Sequence, residues 1–297
     1  MSEQAIKKIL ITGANGFIGG SLMRYYQNHG QDTVGVDLIG NDDDIVQGDI
    51  SQPGTISQQL QECDVIIHTA ALVSNAMQDS DMWQVNVLAT RNLIQAAKEN
   101  KVRRFVQISS IVAYGNSAEG ELDETHPVHA DGGSYVLTKL ASEHVVLSEQ
   151  AKDDIEVVII RPGDAYGPGS RPWIIAPLEA IAKNQFMLPE KGEGFFRPIF
   201  IDDLVRGIAM ASRHPDAAGE IFNLSCEGYM FTKDYFTPHY RWLGKKRPVV
   251  VSTKLALKIS AIASKLADLL GNLNEASPST VKQTYLLRST KPKSKYS

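Results

Sequence analysis

Tyr135 and Lys139 stand four residues apart in Tyr-Val-Leu-Thr-Lys. On a helix that spacing puts a phenol and an ammonium on one face. A free tyrosine titrates near ~10. An ammonium held beside it lowers that value, and the phenol can then give or take a proton near neutrality. The spacing alone says little. The chain has ten tyrosines, and at its lysine content about 0.6 such pairs arise by chance. A second pair, Tyr229 and Lys233, does occur. Context separates the two. Tyr135 opens a helical stretch downstream of a β-branched run ending in Ser109-Ser110, where a hydroxyl could hydrogen-bond a reacting oxygen. Tyr229 has no serine-bearing strand end before it, and we read it with Lys233 as a coincidence of spacing.

The second chemical signature lies near the start. The apolar run Lys7–Thr12 leads straight into Gly13-Ala-Asn-Gly16-Phe17-Ile18-Gly19, and a helical stretch follows. Gly13 permits a tight turn, Gly16 lets the backbone approach a pyrophosphate, and Gly19 allows close helix–strand packing. The pyrophosphate would rest on the helix N-terminus, where free N–H groups and the dipole favour an anion. Three glycines alone are weak evidence; the strand before and the helix after give them their context. The next apolar run ends Val34-Gly-Val-Asp37. An acid at that tip can accept from both ribose hydroxyls and repels a 2′-phosphate, so NAD is favoured over NADP. Asp49, followed by Ile50, comes after a short third strand and could meet the adenine edge.

The elements that must position these groups are legible. Ile9–Thr12, Thr33–Val36, Val65–His68, Phe105–Ser109, Val157–Arg161 and Ile221–Leu224 are short β-branched runs, continuous rather than alternating. Such runs suit parallel strands covered on both faces. Helical patterns such as Ser21–Asn28, Gln84–Lys98 and Tyr135–Ser148 alternate with them, and Ser51–Gln61 reads as a polar helix face. Alternation predicts an α/β fold, a doubly wound parallel (Rossmann) sheet. Its expected extent is residues 1–165, with 199–226 returning to it. Residues 166–198 and 227–297, rich in Gly and Pro at first, would form a smaller, irregular substrate region. Lys254–Leu270 reads as an amphipathic helix with Leu255 and Ile259 on its apolar stripe, a packing helix or lid rather than a membrane-surface helix. The basic last ten residues read as a frayed tail.

Composition narrows the class. The chain has 297 residues, 43% of them hydrophobic, with a formal charge of −4, so a dedicated nucleic-acid binder is not expected. Two cysteines cannot make a disulfide scaffold or a four-Cys zinc site, and a reducing, cytoplasmic location is the default. There is no secretory pattern at the N-terminus and no apolar run of membrane-spanning length. His68 reads as a packed strand histidine, Asp42-Asp43-Asp44 as a solvated turn, and no catalytic metal is expected.

As a set, TGANGFIGG, VGVD, QGDI, VIIHTAAL, NVLATRNLIQAA, QISSIVAYG, YVLTK, RPGDAYGPG and RPIFIDDLV are highly specific. They span about residues 5–225, and in order and spacing they resemble the extended short-chain dehydrogenase/reductase superfamily, its NAD-dependent epimerase/dehydratase group. The resemblance implies NAD as cofactor and a homodimer through the helices near 84–98 and 135–148. It implies that Tyr135 exchanges the proton with the substrate oxygen and that Lys139 holds the nicotinamide ribose. Four residues before Tyr114-Gly115, Ser110 rather than Ser109 would bond the reacting oxygen, and Asn86 would support the site. Ala70, Ala71 and Pro162 would pass the cofactor. Family members also commonly continue past a segment like Ser294–Ser297 with one more helix.

Departures narrow the reaction. Dehydratases of this group carry Asp-Glu directly after the catalytic Ser/Thr; here Ile111 and Val112 stand there, so dehydration is not expected. Asp164 replaces the Asn that faces the substrate in sugar-nucleotide epimerases, and its charge disfavours a diphosphate. Arg197 stands where a diphosphate-binding Arg is common; its alternative is an ion pair with Asp202 or Asp203. Trp173 and Phe195-Phe196 would suit a more hydrophobic substrate, as in the 3β-hydroxysteroid dehydrogenase-like branch, or else belong to the core. The expectation is hydride transfer between a secondary alcohol carbon and nicotinamide. It leaves epimerase and dehydrogenase open, with a non-catalytic NAD(P)-binding sensor or scaffold as the alternative.

Overall fold

The structure, a computed structural model, describes residues 6–40, 44–73, 79–115, 122–151 and 154–259. Seven parallel strands make the central sheet: β1 (Lys8–Thr12), β2 (Asp32–Asp37), β3 (Ile45–Gln47), β4 (Val65–His68), β5 (Arg104–Ile108), β6 (Glu156–Pro162) and, late in the chain, Ile221–Leu224. Between β6 and that last strand come β7 (Asp164–Tyr166), β8 (Phe195–Phe196) and β9 (Pro198–Phe200), so Ile221–Leu224 is β10 and Met230–Phe231 is β11. The sheet order is β10-β6-β5-β4-β1-β2-β3. β1, β4, β5 and β6 are apolar because helices cover both faces, and their central residues are excluded from solvent.

The helices are α1 (Phe17–Asn28), α2 (Ser57–Glu62), α3 (Asp79–Trp83), α4 (Thr90–Glu99), α5 (Ser134–Gln150), α6 (Ala176–Ala182), α7 (Ile201–Arg213) and α8 (Thr232–Trp242). On one face α1 and α7 close over Ile9, Ile11, Ile67, Val106 and Val158. On the other, α2, α4 and α5 cover Leu10, Ile66, Phe105 and Val157. At roughly 25 cal/mol per Å² of apolar surface buried, these two layers dominate the stabilisation. The strand order reverses between β1 and β4, and the crevice there, outside the carboxyl ends of the strands, is where this architecture binds ligands.

Several elements differ from the sequence reading. α1 starts at Phe17, not Ser21, because Gly16 takes the N-cap position and helical geometry begins at once. The run after Gln84 is a π-helical segment, Gln84–Ala89, between α3 and α4. Such bulges are frequent at functional sites, and this one carries Asn86. Ser51–Gln61 divides into a 3₁₀ turn, Pro53–Ile56, and α2, with Ile56 and Leu60 buried. Within 254–270 only 254–259 are described; they are helical, but Leu255 and Ile259 are exposed and Ala256 is the residue that packs. The rest of that segment, the basic tail, and Asp42 and Asp43 lie outside the described residues.

The late, irregular part is built differently. β7 pairs with β9, β8 with β11, and neither pair joins the large sheet. A small aromatic core of Phe196, Tyr235, Phe236 and Leu188, with Tyr166, Trp173 and Phe186 against it, ties α8 to β8.

Candidate active site

Gly13 has φ +67, and a Cβ there would stand 2.8 Å from the backbone of Ala70 in the loop after β4. The two loops flanking the switch point therefore touch through backbone, which only glycine permits here. A Cβ on Gly19 would run into the carbonyl of Gly13. Gly16 caps α1 with no side-chain hydrogen bond, and the first turn holds no acid. Its leading N–H groups meet no side-chain cap and no acid of the first turn, which suits a pyrophosphate. Phe17 and Ile18 begin the helix and pack partly on the α1–α7 core. At the tip of β2 the Asp37 carboxylate accepts the Asn15 N–H at 3.0 Å, so the acid also orders the glycine loop. Asp49 caps its own turn by accepting the Ser51 N–H at 2.8 Å, and Ile50 is buried beneath it. These residues fit a dinucleotide. Ala70 and Ala71 are half-buried at the crevice, whereas Pro162 is buried at the end of β6, paired with Leu224.

Ser110 ends the strand-five motif and caps a 3₁₀ turn, Ile111–Tyr114, by accepting the Val112 N–H at 3.3 Å. Its hydroxyl lies beside the phenol of Tyr135 and acts to lower that phenol's pKa. Lys139 lies 6.0 Å from the centroid of the Tyr135 ring and donates to the Ile108 carbonyl at 2.9 Å. Thus β5 and α5 bring serine, tyrosine and lysine together. The electrostatics correct one expectation. Burial pushes the Tyr135 phenol up to about 12, opposed by the Ser110 hydrogen bond rather than by Lys139. Burial also lowers Lys139 to about 8, and the nearby Glu143 carboxylate counteracts that. Desolvation outweighs the ammonium's effect on the phenol because both groups are packed under the strand ends.

Asn86 does not face this trio. Its amide accepts the Leu72 N–H at 2.8 Å and donates to the Leu72 carbonyl at 3.0 Å, and it also donates to Thr138 Oγ1 at 3.1 Å. It ties the loop after β4 to the helix that carries Tyr135 and Lys139. His68 is a buried strand histidine between Thr12 (2.7 Å) and Thr90 (2.9 Å), held neutral by burial, which lowers it to about 3.

The three residues expected at the substrate divide. Asp164 Oδ2 accepts the Arg197 backbone N–H at 3.1 Å, within the β7–β9 pairing. The Arg197 guanidinium reaches the Gly228 carbonyl at 3.2 Å, and Asp203 pairs with Arg206 instead. Trp173 belongs to the aromatic core, its ring edge-on to Phe196 at 4.8 Å and its carbonyl accepting from His239 at 2.9 Å. Phe196 is fully buried. Tyr229 and Lys233 do not share a helix: Tyr229 packs on Phe195 at 4.4 Å at the surface, and Lys233 sits over Phe231.

Sequence reasoning passed over Glu143, Ser109 and Arg161, which form a buried cluster behind the site. Two signals were readable: a carboxylate one turn after Lys139 and a guanidinium near the end of an otherwise apolar strand.

Known proteins resemble this chain in sequence and fold. The chain is 30% identical over 236 residues to the UDP-glucose 4-epimerase of Vibrio cholerae, covering 74% of this chain and 70% of that one. It is 29% identical over 267 residues to the decarboxylating sterol-4-alpha-carboxylate 3-dehydrogenase of Candida albicans, covering 82% and 74%. Among solved structures, MoeE5 in complex with UDP-glucose and NAD superposes with a TM-score of 0.73 at 25% identity, covering 82% of this chain and 85% of that one. Residues 9–225 match the NAD dependent epimerase/dehydratase family. With its seven-stranded parallel sheet and this sequence match, the chain is an NAD-dependent enzyme of the extended short-chain dehydrogenase/reductase type and belongs to the NAD dependent epimerase/dehydratase family.

Proposed function

We propose that the protein moves a hydride between a secondary alcohol carbon of a small molecule and nicotinamide, with Tyr135 as the acid–base group. The observation that carries this is the grouping of Ser110, Tyr135 and Lys139 at the carboxyl end of β5. The glycine loop 13–19 and Asp37 would hold the cofactor through backbone N–H groups and the ribose hydroxyls. When bound, NAD supplies the hydride acceptor and, reduced, the donor. Ser110 hydrogen-bonds the substrate oxygen. In the reductive direction Tyr135, held protonated by its burial, donates the proton as the carbonyl becomes an alcohol. In the oxidative direction its phenolate takes that proton back. Lys139, anchored on the Ile108 carbonyl, would hold the ribose of the bound nicotinamide.

Ile111 and Val112 offer no acid or base next to Ser110, and the Val112 N–H is engaged in the cap. The lack of a side-chain acid or base at these two positions favours hydride transfer without dehydration. Exposed Leu137 on α5 and Trp83, just before the helix at 84–98, favour a homodimer through the helices near 84–98 and 135–148; light scattering showing a monomer at micromolar concentration would contradict it.

Mass spectrometry of small molecules released on denaturation, followed by turnover assays with Tyr135→Phe, tests the reading. Bound NAD in stoichiometric amount with a nucleotide sugar indicates an epimerase that retains its cofactor. Reversible NAD binding and turnover of hydroxysteroids indicate a dehydrogenase. A Tyr135→Phe enzyme with wild-type turnover on either substrate class sinks both.

A further inference from the structure

We propose that Glu143 is a positioning residue for the Tyr135–Lys139 pair: clamped by Arg161, its carboxylate orders Ser109 next to Ser110 and offsets the charge of the buried Lys139 ammonium. The inference rests on the roles given above to Tyr135 and Lys139.

Glu143 and Arg161 are 1% and 3% exposed. Taking both charges out of water is costly, and a buried ion pair is retained at no net cost only when its geometry is good and its remaining atoms are bonded. Here they are. Arg161 Nε donates to Glu143 Oε1 at 3.0 Å and Nη2 to Oε2 at 2.7 Å, a two-pronged contact. Ser109 Oγ donates to Oε1 at 2.5 Å. The third guanidinium nitrogen donates to the Tyr114 hydroxyl at 3.0 Å, across the turn that Ser110 caps. The two ends of the Ile111–Tyr114 turn are thereby tied to one carboxylate. Adjacent side chains of an extended chain point to opposite sides, so fixing Ser109 on Glu143 turns Ser110 toward Tyr135.

The second link is electrostatic. Glu143 lies one helical turn beyond Lys139, and its charge favours the ammonium against burial. The other titratable groups around Lys139 do not supply that support. From β4, His68 is neutral. From β6, Arg161 is positive and engaged by Glu143. On α5, Tyr135 is held protonated. From α3, Asp79 accepts from Ser134 at the start of α5. From α4, Lys98 pairs with Glu149 and with Asp154, beyond the far end of the helix.

The test follows the Lys139 side chain directly, by ¹⁵Nζ lysine NMR across pH in the full chain. Glu143→Gln should weaken Lys139 proton affinity tenfold or more and move the alkaline limb of turnover to lower pH by the same factor. Glu143→Asp, which keeps the charge, should restore both. Because Glu143→Gln leaves Arg161 buried without its partner, the double variant Glu143→Gln/Arg161→Met removes both charges and decides the matter if the single variant does not fold. An unmoved Lys139 titration in the folded double variant overturns the proposal; a purely structural ion pair gives that result. The titration is repeated in Tyr135→Phe. There a shift on removing Glu143 sustains this inference whatever the turnover, whereas high turnover of Tyr135→Phe overturns only the acid–base reading.

Discussion

Two segments of this chain carry tyrosine and lysine at the same spacing, and the structure treats them in opposite ways. Tyr135 and Lys139 lie on α5 beneath the carboxyl ends of β5 and β6, one beside Ser110 and the other bonded to the Ile108 carbonyl. Tyr229 precedes β11 and Lys233 begins α8, so the four-residue spacing is not helical there. Tyr229 is 48% exposed and packs on Phe195. A motif becomes chemistry only when an element presents it to a crevice and burial makes its proton transfers consequential.

The sharpest way to break the comparison is Tyr135→Phe. Losing a positioned proton donor typically costs about 10²–10⁴ in rate; we expect kcat to fall by that much with NAD affinity retained, read by steady-state kinetics and cofactor titration. Next comes Gly19→Ala. Its methyl meets the Gly13 carbonyl, and overpacking of that kind costs about 1–3 kcal/mol. Denaturant unfolding should show the loss, and NAD titration should show weakened binding as the loop is displaced. Ser110→Ala removes the hydrogen bond that holds the phenol down. At about 1 kcal/mol for such a bond, turnover should drop several-fold, measured at fixed NAD.

The pH dependence probes the same burial. With Lys139 lowered to about 8 from 10.5, turnover should fall as pH rises through 8 and the ammonium is lost. Stability should move the other way: between about 8 and 10.5 the unfolded chain binds the lysine proton and the folded chain does not, so this residue adds stability as pH rises. Urea unfolding across that range reads the slope. The smallest effect is expected at the surface pair. Tyr229→Phe and Lys233→Ala should change stability by no more than about 0.5 kcal/mol and leave turnover unchanged; a large loss would give this segment a role in substrate binding.

The two halves of the molecule differ in the same sense. β1, β4, β5 and β6 were legible as uninterrupted apolar runs because a strand covered on both faces needs no polar alternation. The glycine loop was legible because close backbone approach excludes every side chain at Gly13 and Gly19. The late region was not. Trp173 and Phe196 read equally well as ligand platform or core, and only the packing of α8 against β8 makes Phe196 core. Asp164 and Arg197 are far apart in sequence but meet across the β7–β9 pairing, a register that no local pattern specifies.

Sequence by itself determined the parallel sheet and singled out the glycine loop and the tyrosine, lysine and serine that the structure brings together, since each depends on neighbouring residues or on one element's period. Tertiary structure alone decided the direction in which burial shifts Tyr135 and Lys139, the clamping role of Asn86 and the joining of Glu143 to Ser109 and Arg161. Those properties come from desolvation and from contacts between separate elements. Both arise only when the chain is packed.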